Sequence, residues 1–84
     1  MFETISERQQ ELLFKKLLAK EENTRCADCK QKGATWASLG FGVFVCIGCS
    51  GLHRSFGMHI TRVRSTKLDS WSKGDAKIME IVGN

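Results

Sequence analysis

The stretches Cys26-Ala27-Asp28-Cys29 and Cys46-Ile47-Gly48-Cys49, separated by sixteen residues, contain every cysteine of this chain. Two Cys-x-x-Cys pairs at such a separation are typical of a zinc site with four thiolate ligands. Four sulfurs complete a tetrahedron and leave no open coordination position for water or substrate. The sequence therefore predicts one structural Zn²⁺ bound by Cys26, Cys29, Cys46 and Cys49.

The small size of the chain gives such a metal a structural purpose. A domain of 84 residues buries a marginal core and commonly needs a metal or disulfides as a staple. Two disulfides are the alternative, but residues 1–20 carry several charges and no signal-peptide pattern, which favours a reducing compartment and metal-bound thiolates. His53 and His59 could replace a cysteine as ligands, although with four cysteines available they are better explained as surface or packing residues.

Hydrophobic periodicity and turn residues predict three helices and three short strands. The helices are expected at residues 6–22, 50–56 and 72–82, and the strands at residues 34–38, 43–45 and 62–66. Gly40 and Gly42 suit a hairpin turn that brings the two cysteine pairs together. We predict an α+β fold in one domain, residues 1–84, with a short antiparallel sheet flanked by helices and a finger core at about residues 26–49.

The apolar positions of the first and last helices predict which faces are buried. They are Leu13, Phe14, Leu17 and Leu18 in the first helix and Ile78, Met79, Ile81 and Val82 in the last. Trp71 is interpreted first as a core residue.

Arg54 follows the second cysteine pair on the short helix that the metal would hold. A single arginine is more often a solvated surface group, and its spacing from the cysteines does not overturn that interpretation. The wider pattern does: Cys-x-x-Cys, sixteen residues, Cys-x-x-Cys, four residues and Arg resembles the zinc-finger domain of the Arf GTPase-activating proteins (ArfGAP). The segments WASLG at 36–40, GVFVCIGCSGLHR at 42–54, HITRVRS at 59–65 and LDSW at 68–71 resemble the blocks of that family.

The resemblance implies a GTPase activator for Arf-family small GTPases in their GTP-bound form, without catalytic turnover of its own. It implies that Arg54 is an arginine finger supplied in trans to stabilise the transition state of GTP hydrolysis, as part of the regulation of vesicle trafficking. Trp36 gains a role in contacting the GTPase, and Ile47, Leu52 and Phe56 could form an apolar contact patch or pack locally. The expected location is cytoplasmic, peripheral at Golgi or other endomembranes. Relative to the family pattern, the chain is expected to be truncated at its C-terminus, without the later helices.

Two alternatives and one further partner stay open at this stage. The net charge of +4 favours an anionic partner. The main alternative is therefore a GATA or treble-clef finger that binds nucleic acid, whereas the favoured ArfGAP interpretation expects no nucleic acid as a partner. Such a finger should present several basic residues on the helix after the second cysteine pair, where this chain has only His53 and Arg54. An interaction module without GAP activity is the other alternative. The basic residues Arg62, Arg64 and Lys67 could attract an acidic GTPase surface or an anionic membrane.

Overall fold

Three short antiparallel strands form the sheet of this domain in a computed structural model that describes residues 3–84. The strands are β1 (Trp36–Ser38), β2 (Val43–Val45) and β3 (Val63–Ser65), in the order β2-β1-β3. Ala37 of the central strand lies opposite Phe44 on one side and Arg64 on the other. The predicted α+β class and the β1–β2 hairpin are confirmed. Strand β2 has the predicted bounds, β1 begins two residues later than predicted, and β3 is one residue shorter than predicted at each end.

Three α-helices and one short 3₁₀ helix surround the sheet. They are α1 (Glu7–Leu18), the 3₁₀ helix Glu21–Asn23, α2 (Ile47–Arg54) and α3 (Lys73–Ile81). Ser6 begins α1 with a capping box, in which its side chain accepts from the Gln9 N–H and the Gln9 side chain accepts from the Ser6 N–H. The helix ends at Leu18 rather than at Glu22 as predicted, and the buried Asn23 side chain donates to the Leu17 carbonyl at 2.8 Å.

The start of α2 differs from the prediction of a helix beginning at Ser50. The helix begins at Ile47, so the second cysteine pair forms its first turn. Cys46 occupies the N-cap position and its sulfur accepts a hydrogen bond from the Cys49 N–H at 3.4 Å. A Cys-x-x-Cys turn directs the backbone N–H of its second cysteine at the sulfur of its first. An N-cap side chain accepts from the N–H at that same position, so the turn and the start of the helix coincide. Gly48 accordingly has a helical backbone without positive φ.

The hydrophobic core lies between the sheet, α1 and α3. Its buried members are Phe14, Leu17, Ala34, Ala37, Leu39, Phe44, Trp71 and Met79. The ring of Phe14 is central, with centroid distances of 4.7 Å to Trp71 and 6.2 Å to Phe44. The core role predicted for Trp71 is confirmed.

The buried face of α3 differs from the predicted apolar stripe. Met79 is buried, but Ile78, Ile81 and Val82 are exposed. The helix instead buries Asp75 and Ala76. Asp75 is paired through both carboxylate oxygens with Arg62, at 2.7 and 3.0 Å, and this hydrogen-bonded pair turns that side of the helix inward. Among residues 3–84, every helix falls short of the length and apolar character that crossing a membrane demands.

Candidate functional site

The four cysteine sulfurs lie together at the junction of the sheet and α2. All four sulfur atoms are within 4.8 Å of one another, and those of Cys29 and Cys46 are 3.6 Å apart. In the first pair, the Cys26 sulfur accepts from the Cys29 N–H at 3.5 Å, as the Cys46 sulfur does in the second pair. The backbone N–H of Ala27 donates to the Phe44 carbonyl at 2.9 Å and fastens the first pair to β2. The sulfurs converge as the sequence spacing predicted.

This sulfur cluster fits a tetrahedral metal ion. Zn–S bonds of about 2.3 Å place the sulfurs of a regular tetrahedron about 3.8 Å apart, close to the separations seen here. The cysteines are free, and a disulfide would require sulfurs about 2.05 Å apart. The two-disulfide alternative is therefore not the arrangement in this structure.

The ionisation of the thiols supports the same conclusion. Burial opposes ionisation of Cys26, but the backbone N–H groups of Cys29, Cys46 and Asp28 and the Cys49 thiol outweigh it and lower the Cys26 pKa to about 6. A hydrogen bond to the Cys26 sulfur, together with burial, raises the pKa of Cys49 to about 12. A thiolate at Cys26 thus opposes the ionisation of Cys49. Four thiolates at this spacing repel one another, and a cation bound between them would offset that repulsion.

Arg54 is the last residue of α2, and its side chain is exposed. Its guanidinium carbon lies 5.1 Å from the centre of the Trp36 ring, which is cation–π contact. Trp36 begins the central strand and is half-buried, so one face of its ring is available to Arg54. Arg54 and Trp36, which are distant in the sequence, are therefore in contact in the fold.

The three apolar residues considered for a contact patch or for local packing differ in their position around α2. All are exposed, at 71% for Ile47, 59% for Leu52 and 42% for Phe56. At about 100° per residue, Ile47 and Arg54 point to the same side of α2, whereas Leu52 points about 140° away from Ile47. The ring of Phe56, beyond the helix, packs at 5.5 Å from His53 and 6.4 Å from Phe41. Only Ile47 therefore shares the side of α2 from which Arg54 projects.

His53 is a buried packing residue, which is one of the two interpretations considered for it from the sequence. Its side chain is 7% exposed, and both ring nitrogens are engaged, Nε2 with Asp28 Oδ2 at 2.5 Å and Nδ1 with Ser38 Oγ at 2.8 Å. It is therefore a hydrogen-bonded packing residue and not a substitute metal ligand. Sequence reasoning missed Asp28 and Ser38 as its partners, because they lie 25 and 15 residues away in the chain.

Two observations bear on the basic residues considered for an anionic partner. Arg62 is neutralised by Asp75, and the hydrogen bond between them raises the Arg62 pKa. On α2, His53 is buried and Arg54 is the one exposed cation. A helix that reads DNA should present several basic side chains, so this arrangement does not favour the nucleic-acid alternative.

Comparison with known proteins identifies relatives of this domain. Residues 11–84 match the family model ArfGap, described as "Putative GTPase activating protein for Arf". Stromal membrane-associated protein 1 of Mus musculus is 49% identical over 76 residues, covering 90% of this chain and 17% of the relative. ADP-ribosylation factor GTPase-activating protein 3 of Mus musculus is 48% identical over 73 residues, covering 86% of this chain and 14% of the relative.

Solved structures with the same fold include a crystal structure described as a "putative GTPase activating protein for ADP ribosylation factor" from Cryptosporidium parvum. It superposes with a TM-score of 0.92 at 38% identity, covering 95% of this chain and 64% of that chain. The chain thus spans about a sixth of the length of the two mouse relatives and about two thirds of the length of this solved chain.

Proposed function

The chain belongs to the ArfGap family, and we propose that it accelerates GTP hydrolysis by a GTP-bound Arf-type GTPase, with Arg54 as an arginine finger. The observation that carries this proposal is the placement of Arg54. It is the exposed cation at the end of α2, and the first turn of that helix contains two of the four clustered cysteines.

The chemistry of GTP hydrolysis explains why an arginine suits this position. Water attacks the γ-phosphorus, the bond to the β–γ bridging oxygen breaks, and GDP and inorganic phosphate are formed. Negative charge spreads over the transferring and leaving oxygens in the transition state. A guanidinium is planar, donates to two oxygens at once and stays charged at every working pH, so Arg54 would stabilise that charge inside the active site of its partner.

We propose that one Zn²⁺ bound by Cys26, Cys29, Cys46 and Cys49 has a purely structural role. With all four ligand positions taken by sulfur, the ion has no place for water or a phosphate oxygen. Its contribution would be to fasten the start of α2 to the segment that precedes the sheet. The chain would then act as an activator, while the nucleotide, Mg²⁺ and attacking water belong to the GTPase.

The cellular setting is also part of the proposal. Action on an Arf-type GTPase in vesicle trafficking would place the protein in the cytoplasm, peripheral at Golgi or other endomembranes. The exposed basic residues, including Lys67, would assist attraction to the GTPase or an anionic membrane without specific recognition.

A hydrolysis assay tests the proposed function. The protein, loaded with zinc, is added in increasing amounts to an Arf-type GTPase carrying GTP and Mg²⁺, and phosphate release is followed in a single turnover. We expect the hydrolysis rate to rise with protein concentration and to saturate. Unchanged hydrolysis over the basal rate, with a known ArfGAP active in parallel, would contradict the proposal. Salt-sensitive binding to DNA in that case would support the nucleic-acid alternative.

Replacing Trp36 by leucine should lower the stimulated rate about two- to fivefold. An exposed cation–π contact is worth about 0.5–1 kcal/mol, and its loss leaves the Arg54 side chain with more conformers to give up on docking. Trp36→Phe keeps a ring face under the guanidinium and is the matched control. If Trp36 also contacts the GTPase, the half-saturating protein concentration will rise as well. A faster rate in the leucine variant would mean that the Trp36 contact holds Arg54 in an unproductive position.

A further inference from the structure

A chain of hydrogen bonds crosses the interior from the first cysteine pair to the loop before β3. It runs from Asp28 through His53 to Ser38, continues at 2.6 Å from Ser38 Oγ to Thr61 Oγ1, and ends at the Gly40 N–H, 2.9 Å from Thr61 Oγ1. Ser38 is fully buried, and Thr61 is 3% exposed. We call these five residues, Asp28, Ser38, Gly40, His53 and Thr61, the interior chain.

The donors of the interior chain follow one direction. A carboxylate only accepts, so His53 Nε2 carries the hydrogen that points to Asp28, and in a neutral ring Nδ1 then accepts from the Ser38 hydroxyl. Ser38 accepts in turn from the Thr61 hydroxyl, and Thr61 accepts from the Gly40 N–H. Every hydrogen has an acceptor in this direction. The Asp28–His53–Ser38 part resembles a hydrolase triad, but the Ser38 hydroxyl is buried away from any substrate.

The interior chain anchors the C-terminal end of α2, whereas the cysteines anchor its N-terminal end. Cys46 and Cys49 fix the first turn, whereas Arg54 lies five residues beyond Cys49. That is about 7.5 Å along the helix axis, so a tilt of about 8° about the first turn displaces Arg54 by about 1 Å. A misplacement of about 1 Å can cost about 10²-fold in rate. His53 immediately precedes Arg54, and its two ring nitrogens contact Asp28, between the two cysteines of the first pair, and Ser38 in the central strand.

We propose that His53 is a positioning residue for Arg54, acting through its bonds to Asp28 and Ser38. The inference rests on the proposed GTPase activation. Cysteine ligation fixes where α2 begins, and His53 fixes where it ends. His53 does not itself touch the GTPase or the nucleotide, because its ring is enclosed by Phe41, Phe56 and the interior chain.

The test compares His53→Gln with His59→Gln, the exposed second histidine, in single-turnover hydrolysis at increasing protein concentration. Glutamine can direct its amide N–H to Asp28, but it has no acceptor atom at the position of Nδ1, which faces Ser38. We expect His53→Gln to lower the saturated rate constant at least tenfold, with an unchanged half-saturating concentration and the same zinc content per chain. His59→Gln should behave as the wild type.

A double variant separates positioning from general damage. If His53 acts through Arg54, adding His53→Gln to Arg54→Lys should cost less than twofold, because the guanidinium that it positions is already gone. Equal fold losses in both backgrounds would overturn the proposal. If His53→Gln fails to fold, Asp28→Ala serves instead, since Asp28 is exposed and alanine removes the acceptor of the His53 Nε2 hydrogen, and the same loss of rate is expected.

A measurement without GTPase completes the test. NMR contacts between the Arg54 and Trp36 side chains should persist in His59→Gln and weaken or vanish in His53→Gln. Preserved contacts together with an undiminished rate would overturn the positioning role alone. A wild-type protein that shows no stimulation would instead overturn the proposed function, and with it any role for His53 in that reaction.

Discussion

Arg54→Lys should lower the stimulated rate of GTP hydrolysis by about 10³-fold or more, which removes most of the activation. Arginine fingers supplied in trans contribute about 10³–10⁵ in rate, or about 4–7 kcal/mol of transition-state stabilisation. Lysine keeps the charge but presents a compact ammonium that cannot donate to two oxygens in one plane. It would also change the cation–π contact with Trp36, because an ammonium has no planar face to set against the ring.

The fold should tolerate the substitution, because Arg54 is exposed at the end of α2 and makes no ion pair within residues 3–84. Thermal unfolding and zinc content are therefore expected to match those of the wild type. Arg8→Lys is the matched control, since Arg8 is an exposed arginine on α1. A rate for Arg54→Lys within a few-fold of the wild type would contradict the arginine-finger role.

Removing the metal should unfold at least the half of the domain that contains the cysteines. Structural zinc in small fingers contributes about 10–16 kcal/mol, whereas the net stability of a domain is about 5–15 kcal/mol. Without the ion, the four clustered cysteines would oppose one another's ionisation, and no metal–sulfur bonds would connect the two cysteine pairs. The segment from Cys26 to Gln31 and the first turn of α2 depend on that cluster most directly.

Circular dichroism and amide hydrogen exchange during chelation would measure this effect. We expect loss of helical signal and fast exchange in α2, both reversed by added zinc. The core around Phe14 and Trp71 contains none of the four cysteines, and its amides should therefore lose protection later than those of α2. A chelator already saturated with zinc is the control. Unchanged spectra after verified loss of the metal would refute the structural role of the ion.

The sequence predicted the features that depend on local pattern. The hairpin between β1 and β2 joins residues close in the chain, and the spacing of the two Cys-x-x-Cys pairs is typical of a four-thiolate metal site. For this reason the α+β class and the convergence of the cysteines were predictable. The arginine-finger role proposed for Arg54 rests on the family resemblance and not on its spacing from the cysteines.

Features that depend on distant partners were not predictable. The inward turn of Asp75 requires Arg62, thirteen residues away, and without that pair the apolar residues of α3 suggested another buried face. His53 looked like a solvated or packing histidine because nothing in its neighbourhood names Asp28 or Ser38 as partners. The predicted start of α2 at residue 50 is wrong. The hydrogen bond from the Cys49 N–H to the Cys46 sulfur is itself the N-cap of the helix, so the cysteine turn and the helix are one element.

The most direct test asks whether Arg54 reaches the transferring phosphoryl group. Binding of the protein to an Arf-type GTPase is measured with GDP and aluminium fluoride, a mimic of that group in the transition state, and with a non-hydrolysable GTP analogue. An arginine that acts in the transition state should make the wild type bind the aluminium fluoride form more tightly, and Arg54→Lys should abolish that preference. Equal binding of the wild type to both forms, or a preference that survives in Arg54→Lys, would contradict the proposed mechanism.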